Sequence, residues 1–459
     1  MYEGGARVIS QVFLDRMKDL LGEEYPLFER ALTEGEEVKG IRVNRAKRKD
    51  GTIPKEWAER VAPIAYCDGG YILKDDVRIG QAPEHHAGIF YSQDPGAMSA
   101  LCALDIEPDW WVLDTCAAPG GKASQAAEKL SSDGFILANE YVSKRAKIIV
   151  SNFERLGIPN ALVTSMDTEM LASLYPEVFD LVVTDAPCSG EGMFRKNDQS
   201  QENWSVENVI ACAKRQSEIL DNAAKAVKGG GYLLYSTCTY SLEENEEVVA
   251  DFLERHPNFT LHRVKDKLYE ATRDGINIRG IDMSNARRFY PHASAGEGQF
   301  VALMKKAGEG QRKTTFVYKD STKPLDKKER DIVSRFFSES LVTPPQGRVA
   351  KVGDNIVLIS HGCPIPPHSV YMAGVLVGEI SGGILKPSHQ FFSVFGDSFR
   401  IKEDLSQDKV EKYLLGEEID TTSSDKGWCC ITYLGVPLGG GKMSSGRIKN
   451  HYPKGLRNK

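Results

Sequence analysis

The sequence lacks the features that mark several classes of protein. No apolar run approaches the roughly 20 residues that a membrane-spanning helix needs, so no membrane segment is expected. The N-terminus has no basic region followed by an apolar one, which argues against a secretory signal. The nine cysteines are irregularly spaced and form no CxxC pair, so neither a disulfide framework nor a metal site is expected. These absences predict a cytoplasmic protein with free thiols, which we expect to be a monomer.

Charge is unevenly distributed along the chain. The formal net charge is −6, which is not typical of a nucleic-acid-binding protein. After Asp425, however, no further Asp or Glu follows, and residues 39–49 form a second basic cluster. Either cluster alone is consistent with a solvated surface. Two clusters on either side of the central region favour contacts with the phosphates of a nucleic acid.

The central region, from about 110 to 240, alternates short apolar runs with helical stretches. This alternation is typical of an α/β domain with a parallel, doubly wound sheet of the Rossmann type. We expect α+β modules on its N-terminal and C-terminal sides. The apolar runs predict strands at 110–113, 135–138, 161–164, 181–184, 232–235 and 299–304. The predicted helices between them include 122–130, 143–156 and 206–227.

The chain is too long for one ordinary hydrophobic core, so several domains are expected. A lead-in precedes the α/β domain, and a linker rich in Gly, Lys and Thr separates that domain from a small accessory domain and a final basic domain. The predicted divisions are, in chain order, 1–75, 76–306, 307–328, 329–385 and 386–459.

A glycine turn follows the first predicted strand. Gly120 and Gly121 allow a tight turn, and the N-terminus of the next helix offers N–H donors to an anionic group. A phosphate-binding P-loop needs Gly at Cys116 and Ser or Thr at Ala123, and the dinucleotide pattern GxGxxG is also absent. A nucleotide phosphate site is therefore not predicted, and the turn alone is equally consistent with strand–helix packing.

Acidic residues follow the next three predicted strands. They are Glu140, Asp167 and Asp185. Each alone is consistent with a helix N-cap. In an open parallel sheet, however, ligands bind beyond the carboxyl ends of the strands. Three acids at three strand ends favour a ligand rich in hydroxyl and amine groups, such as S-adenosylmethionine, over a pyrophosphate.

Two cysteines, Cys188 and Cys238, follow the fourth and fifth predicted strands. A single cysteine is most often a packing residue, but two at one sheet edge beside three acids favour chemistry. A thiolate that adds to carbon 6 of cytosine makes carbon 5 nucleophilic, and Asp185 is placed to contact ring nitrogen 3. Chemistry alone leaves open which thiol attacks. Cys238 precedes a helix that a capping box from Ser241 to Glu244 is predicted to begin, whereas Cys188 lies in a tight turn.

Three motifs now stand in order along the chain. They are Asp114-x-Cys-Ala-Ala-Pro-Gly-Gly-Lys122, Asp185-Ala-Pro-Cys-Ser-Gly-Glu-Gly192 and Ser236-Thr-Cys-Thr-Tyr-Ser241. In this order and spacing they resemble the NOL1/NOP2/Sun family of RNA 5-methylcytosine methyltransferases, and the resemblance covers residues 35–306. The C-terminal part looks like that of the bacterial members that modify 16S ribosomal RNA and carry a PUA-like domain.

The resemblance implies methylation of carbon 5 of cytidine in RNA, with 16S rRNA or the small ribosomal subunit as partner. It implies that Cys238 is the nucleophile and that Cys188 helps to release the product, whereas DNA cytosine methyltransferases attack from the Pro-Cys motif. S-adenosyl-L-methionine is the implied cofactor. The residues predicted to hold it are Cys116, Ala117, Ala118, Pro119, Gly120, Gly121, Lys122, Glu140, Arg145, Asp167 and Asp185.

Two positions depart from the family pattern. Gly96 lies where a serine is expected, and Gln299 lies where an aromatic residue is common. Both departures concern local contacts with the substrate or the cofactor and leave the predicted reaction unchanged. Two alternatives remain open at this point: a DNA cytosine-5 methyltransferase that attacks through Cys188, and a non-catalytic RNA-binding factor for ribosome assembly.

Overall fold

The computed structural model describes residues 9–196, 198–313 and 315–458 of the chain. Its N-terminal part is a four-stranded antiparallel sheet, in the order β2-β3-β1-β4, preceded by two helices. The helices are α1 (Gln11–Leu21), α2 (Tyr25–Thr33), α3 (Pro83–His86) and α4 (Pro95–Ser99). The strands are β1 (Gly40–Val43), β2 (Val61–Pro63), β3 (Gly70–Leu73) and β4 (Phe90–Ser92).

The central domain is built on a large mixed sheet whose five middle strands are parallel. Its strands are β5 (Trp111–Asp114), β6 (Phe135–Asn139), β7 (Ala161–Thr164), β8 (Phe179–Asp185), β9 (Val227–Thr237), β10 (Phe259–His262), β11 (Arg273–Asp274), β12 (Arg287–Phe289) and β13 (Gln299–Lys306). Its helices are α5 (Gly121–Ala127), α6 (Ser143–Leu156), α7 (Thr168–Leu174), α8 (Asp198–Glu202), α9 (Val206–Ala226), α10 (Glu246–Arg255) and α11 (Asp266–Glu270).

The strand order places the ligand-binding edge. The parallel strands run β9-β8-β5-β6-β7, so the order reverses between β5 and β8, and β13 pairs antiparallel with β9. The crevice at such a reversal, beyond the carboxyl ends of the strands, is where open α/β sheets bind ligands. The predicted doubly wound Rossmann-like fold is confirmed.

Both faces of the central sheet are covered, which explains its continuous apolar strands. Leu113, Leu137 and Val182 lie in the hydrophobic cluster on one face, whereas Val112 and Val183 lie in the cluster on the other. All five are at most 1% exposed. Each such side chain contributes about 1.5–3 kcal/mol through burial, so the apolar runs both identify the strands and stabilise the sheet.

The C-terminal part contains two further sheets. Their orders are β14-β15-β17-β18 and β19-β21-β22-β23-β20. The strands are β14 (Arg348–Val352), β15 (Asn355–Ile359), β16 (Val370–Ala373), β17 (Val375–Ser381), β18 (Ile384–Pro387), β19 (Ile401–Asp404), β20 (Ile419–Asp420), β21 (Gly427–Tyr433), β22 (Val436–Ser444) and β23 (Arg447–Asn450). The helices are α12 (Lys327–Ser340), α13 (His389–Phe395) and α14 (Gln407–Leu415). No helix in the described ranges is long and apolar enough to cross a membrane.

Strand β16 connects the C-terminal part to the central domain. It pairs antiparallel with β7 and so extends the central sheet, which the sequence did not predict. Between β16 and β17, Gly374 has φ +63°, and a Cβ there would lie 2.3 Å from the carbonyl oxygen of Leu358. Only glycine therefore lets the chain pass from one sheet to the next at this point.

The segment predicted as a linker packs on the central domain. Arg312 Nη2 donates to Asp180 Oδ2 at 2.7 Å, and the rings of Phe316 and Tyr318 lie within 6.1 Å and 5.8 Å of the Tyr175 ring. This segment is therefore a packed connection. The domain boundaries drawn from the sequence stay a prediction.

Candidate active site

A cavity of about 860 Å³ opens at the carboxyl ends of β5 to β9. One side, here called the acidic wall, consists of the loop 115–122 with Glu140 and Asp167. The other side, the thiol wall, consists of Asp185, Cys188 and Cys238. Among the predicted cofactor residues, those that line the cavity are Cys116, Ala118, Glu140, Arg145, Asp167 and Asp185. The remaining ones, Ala117, Pro119, Gly120, Gly121 and Lys122, lie in the same turn just behind.

The loop of the acidic wall turns at Gly120, whose φ is +109°. The Gly120 N–H donates to Ala117 O at 2.7 Å, and α5 begins at the next residue. Ala117 N–H donates to Asn139 O at 2.8 Å, which ties the loop to the end of β6. The loop is thus held by backbone bonds on its inner side while Cys116 and Ala118 face the cavity.

Asp114, the last residue of β5, is buried beneath this loop. Its Oδ1 accepts the Cys116 N–H at 3.2 Å, but Oδ2 has no hydrogen-bond partner among the described residues. Burial, and then the negative charge of Asp185, raise the pKa of Asp114 to about 8. Asp114 begins the first of the three motifs, but it is not among the predicted site residues. An acid that ends a buried apolar strand is the signal that could have identified it.

Glu140 and Asp167 keep only local partners. Glu140 accepts the Val142 N–H at 3.0 Å and pairs with Arg145 at 3.4 Å. Asp167 is the N-cap of α7 and accepts the Met170 N–H at 2.7 Å. The N-cap alternative therefore holds for Asp167, although its side chain also lines the cavity.

Asp185 and Lys122 join the two walls. Lys122 Nζ lies 2.8 Å from Asp185 Oδ2, and Ser236 Oγ donates to Asp185 Oδ1 at 2.7 Å. Burial lowers the pKa of Lys122, but the adjacent Asp185 carboxylate outweighs this, so the net shift is upward. Lys122 is therefore a cation, and it places a positive charge beside the thiol wall.

The two predicted thiols lie in contact. The Cys188 and Cys238 sulfur atoms are 3.2 Å apart, and the Cys238 backbone N–H donates to Cys188 Sγ at 3.4 Å. Both are free thiols that line the cavity. The contact with Cys238, followed by burial, raises the pKa of Cys188 well above its usual range. The Cys188 thiol therefore keeps its proton.

The predicted capping box after Cys238 is wrong. Helix α10 begins at Glu246, and its N-cap position is Asn245. Ser241 Oγ instead donates to Glu191 Oε1 at 2.6 Å, while Glu244 Oε2 accepts the Ser189 N–H at 2.9 Å. Buried groups of the neighbouring loop thus take the side chains that local spacing assigned to the helix.

Glu191 was missed by the sequence reasoning. It lies in the Ser-Gly-Glu-Gly part of the Cys188 motif, 1% exposed, and its carboxylate accepts hydrogen bonds from the loop that follows Cys238. The signal that could have identified Glu191 is a charged residue between two glycines of a motif that lies at a strand end.

The two departures from the family pattern have different outcomes. A Cβ on Gly96 would lie 2.6 Å from Glu297 O and 2.9 Å from Asp94 Oδ1, so a serine would not fit here. Gln299 is 3% exposed and its Nε2 has no partner within the described ranges. Neither residue lines the cavity.

Comparison with known proteins identifies the family. The model for 16S rRNA methyltransferase RsmB/F matches residues 101–305. Models for the N-terminal domain of 16S rRNA methyltransferase RsmF and for the methyltransferase RsmF PUA domain match residues 9–95 and 401–458. Ribosomal RNA small subunit methyltransferase F of Vibrio vulnificus (strain YJ016) is 30% identical over 438 residues, which are 91% of each chain. The chain belongs to this family of 16S rRNA methyltransferases.

Other relatives agree with this family. The protein of the same description from Klebsiella pneumoniae (strain 342) is 29% identical over 442 residues, covering 93% of this chain and 91% of that one. A solved methyltransferase homolog protein from Pyrococcus horikoshii superposes with a TM-score of 0.55 at 28% identity, over 65% of this chain and 95% of that one. The family resemblance read from the motifs is confirmed, as is the PUA-like C-terminal domain.

Proposed function

We propose that this chain methylates carbon 5 of a cytidine in 16S rRNA, using S-adenosylmethionine, through a covalent adduct of Cys238. The observation that carries the proposal is the pair of free thiols, 3.2 Å apart, on a cavity whose opposite wall is acidic. Simple methyl transfer to a nitrogen or oxygen needs no thiol. Transfer to the weakly nucleophilic carbon 5 does, because the ring must first be activated by addition at carbon 6.

The acidic wall fits the cofactor. Glu140 and Asp167 present carboxylates for hydroxyl and amine donors, and Asp114 Oδ2 is a buried acceptor without a partner. A pyrophosphate would instead meet the carboxylates of Glu140 and Asp167, which repel it. We assign the cofactor to the loop Cys116–Lys122 with Glu140, Arg145 and Asp167. When bound, it supplies an electrophilic methyl group to carbon 5.

The attack is assigned to Cys238. Its thiol passes a proton to the Asp185 carboxylate, its sulfur forms a bond to carbon 6, and the electrons of the 5,6 double bond move toward carbon 5 and ring nitrogen 3. Asp185, with the Lys122 ammonium 2.8 Å away, is proposed to share a proton with nitrogen 3 as negative charge develops there. The target base must leave its stack to reach the sulfur, so we expect an exposed or flipped cytidine.

Release is assigned to Cys188. After methylation, the proton on carbon 5 must leave and the bond between sulfur and carbon 6 must break. The Cys188 thiol keeps its proton and touches the Cys238 sulfur, so it can protonate the departing thiolate. The resulting Cys188 thiolate can then accept the carbon 5 proton, which restores both thiols, while the proton that Asp185 shared with nitrogen 3 leaves to solvent.

The test is to trap the adduct. Cys188→Ala should accumulate a covalent protein–RNA complex that survives denaturation, whereas Cys238→Ala should form none. Cys212→Ala, which removes a buried thiol of α9 that does not line the cavity, is the matched control. An adduct formed by Cys238→Ala would reverse the assignment. RNA binding without methyl transfer by the unmodified protein would instead support the assembly-factor alternative, and transfer to DNA the DNA methyltransferase alternative.

The target nucleotide is a separate question for the same proposal. Bisulfite sequencing of 16S rRNA from a deletion strain should show a lost 5-methylcytidine signal, which expression of the chain restores. A deletion with an unchanged pattern would contradict 16S rRNA as the substrate.

A further inference from the structure

Two buried carboxylates form hydrogen bonds between the two loops that carry the thiols. Glu191 belongs to the Cys188 loop (residues 186–192), but it binds the Cys238 loop (residues 238–241). Its Oε2 accepts the Thr239 hydroxyl at 2.8 Å and the Tyr240 N–H at 2.9 Å. Its Oε1 accepts the Ser241 hydroxyl at 2.6 Å and the indole N–H of Trp204 at 2.9 Å. The carboxylate of one thiol loop therefore holds every residue that follows Cys238 in the other.

Glu244 makes the opposite connection. It lies just beyond the Cys238 loop, yet its Oε2 accepts the Ser189 N–H at 2.9 Å, directly after Cys188. The same oxygen accepts the side-chain amide of Gln216 at 2.8 Å. A third link joins the loops directly, because the hydroxyls of Ser189 and Thr239 lie 2.9 Å apart. The residues directly after Cys238 are therefore bound by Glu191, and the residue directly after Cys188 is bound by Glu244.

The burial of these two acids is unusual enough to need a reason. Glu191 is 1% and Glu244 0% exposed, and neither forms an ion pair within the described parts of the chain. A buried carboxylate without a cation is costly, so apolar residues of the same volume would pack more favourably. What the carboxylates provide, and apolar residues cannot, is several directed hydrogen bonds that fix one loop against the other.

We propose that Glu191 and Glu244 are positioning residues that set the relative place of the two thiols. Glu191 fixes the Cys238 loop for attack on carbon 6, and Glu244 fixes the Cys188 loop for release. This inference rests on the proposed function. Burial also raises the pKa of Glu244 to about 7, and its charge contributes to the raised pKa of Cys188, so this acid can also favour the protonated form of the releasing thiol.

The two acids differ in a way that makes the inference testable. Both oxygens of Glu191 face a donor that cannot reverse its role, Tyr240 N–H on one and Trp204 N–H on the other. A glutamine at 191 would therefore place its NH₂ against an N–H in either orientation. Glu244 uses only Oε2, and its Oε1 has no partner within the described ranges. A glutamine at 244 can keep both hydrogen bonds while losing the charge.

The experiment compares Glu191→Gln, Glu244→Gln and Glu244→Ala with the matched control Glu243→Gln. Glu243 pairs with Arg16 and forms no hydrogen bond with either thiol loop in the described ranges. Two rates are measured in single turnovers on RNA: formation of the denaturation-resistant adduct and its decay. Alkylation of Cys238 by iodoacetamide, without RNA or cofactor, gives a readout that is independent of activity.

We expect Glu191→Gln to slow adduct formation by on the order of 100-fold, the effect of a displacement of about 1 Å in a reacting group. Its RNA affinity should be unchanged, and alkylation of Cys238 should change in rate. Glu244→Ala should slow adduct decay more than adduct formation, so that the adduct accumulates. Glu244→Gln should show the same pattern, about tenfold more weakly, because one oxygen acceptor is enough there.

The inference is overturned if Glu191→Gln and Glu244→Ala match Glu243→Gln in both rates, or if both variants slow the two steps equally. Thermal unfolding shows whether each variant folds. If Glu191→Gln does not, Ser241→Ala, which removes one of the four donors, should slow adduct formation in the same direction. A Cys188→Ala protein that forms no adduct would instead disprove the proposed function itself, so the two failures are distinguishable.

Discussion

The two walls of the cavity differ in how their polar groups are used. Behind the thiol wall, Glu191 and Glu244 bind the opposite loops, so the sulfur atoms are held by protein groups alone. On the acidic wall, Glu140 and Asp167 face the cavity and hold only local partners, and beneath it Asp114 Oδ2 has no partner in the described residues. Hydrogen bonds between the two loops hold the thiol wall without a ligand, whereas the acidic wall presents carboxylates to the cavity.

The proposed function gives the two walls different tasks, and these account for the difference. A nucleophile has to be in place before the base arrives, because misplacement is penalised directly in the rate. A binding surface gains affinity only from acceptors that protein groups have not already taken, at some cost in stability. Substitutions on the thiol wall should therefore lower the rate of methyl transfer. Substitutions on the acidic wall should instead change the affinity for the cofactor and the stability of the protein.

The strongest test of this separation is Cys238→Ala. We expect methyl transfer to fall by on the order of 10⁴-fold or more, because the covalent route is lost as a unit. Cofactor affinity should change less than twofold, about the size of an ordinary surface effect, because the opposite wall is intact. Single-turnover transfer of a labelled methyl group and calorimetric titration with S-adenosylmethionine measure the two quantities. A comparable loss of both would show that the walls do not act separately.

Lys122→Met should affect both methyl transfer and cofactor binding, because the Lys122 ammonium links the two walls. It leaves the Asp185 carboxylate without its cation, next to Asp114 and Glu140. Removing one partner of a largely buried pair costs about 3 kcal/mol, so we expect losses on the order of 10²-fold in rate together with weaker cofactor binding. The control is Lys129→Met, because the Lys129 ammonium donates to Leu101 O away from the cavity. A variant that lost rate alone would place Lys122 on the thiol wall only.

Asp114→Asn should separate stability from binding. A free aspartate ionises near pH 4, whereas Asp114 keeps its proton up to about pH 8. Between these values the folded state binds more protons than the unfolded one, so the stability of the unliganded protein falls as pH rises, by at most about 1.4 kcal/mol per pH unit. The asparagine keeps the bond to Cys116 N–H without ionising, so this decline should shrink.

Above about pH 8, where Asp114 is charged, the same variant should bind the cofactor about tenfold more weakly, because an amide nitrogen in place of Oδ2 cannot accept a hydrogen bond. Thermal unfolding from pH 5 to 8.5 and calorimetric titration together test both expectations. A variant that is no more stable at pH 8 than the unmodified protein would show that Asp114 ionises normally, and unchanged affinity would remove it from the cofactor site.

The sequence predicted the central sheet well because its strands are buried on both faces. The run at 161–164 and the helix at 143–156 agree with the structure residue for residue. Their signals are local: apolar continuity for one, amphipathic periodicity for the other. The positions of Cys188 and Cys238 at one edge followed from the parallel topology alone, because carboxyl ends of parallel strands share an edge.

Long-range partners were beyond reach of the same reasoning. The pairing of β16 with β7 joins segments about 200 residues apart, and no local pattern distinguishes this edge from another. The capping box failed for a similar reason, since Ser241 and Glu244 bind donors and acceptors of the Cys188 loop. The conformation of such a side chain depends on hydrogen-bond partners in another loop. The spacing of residues along the sequence does not reveal which partners these are.

The smallest effect expected on the acidic wall is that of Arg145→Ala. Arg145 is half exposed, pairs with Glu140 at 3.4 Å and donates to Ala118 O at 3.1 Å. An ion pair of this kind contributes about 0–1 kcal/mol, so cofactor affinity should change by less than about fivefold. The direction is informative, because Arg145 pairs with the Glu140 carboxylate, which we propose accepts hydrogen bonds from the cofactor. Tighter binding by the variant would show that the pair competes with the cofactor, and weaker binding that Arg145 holds Glu140 in place. A loss of 100-fold or more would instead make Arg145 a principal cofactor ligand, and carboxylates alone would then no longer account for cofactor binding on the acidic wall.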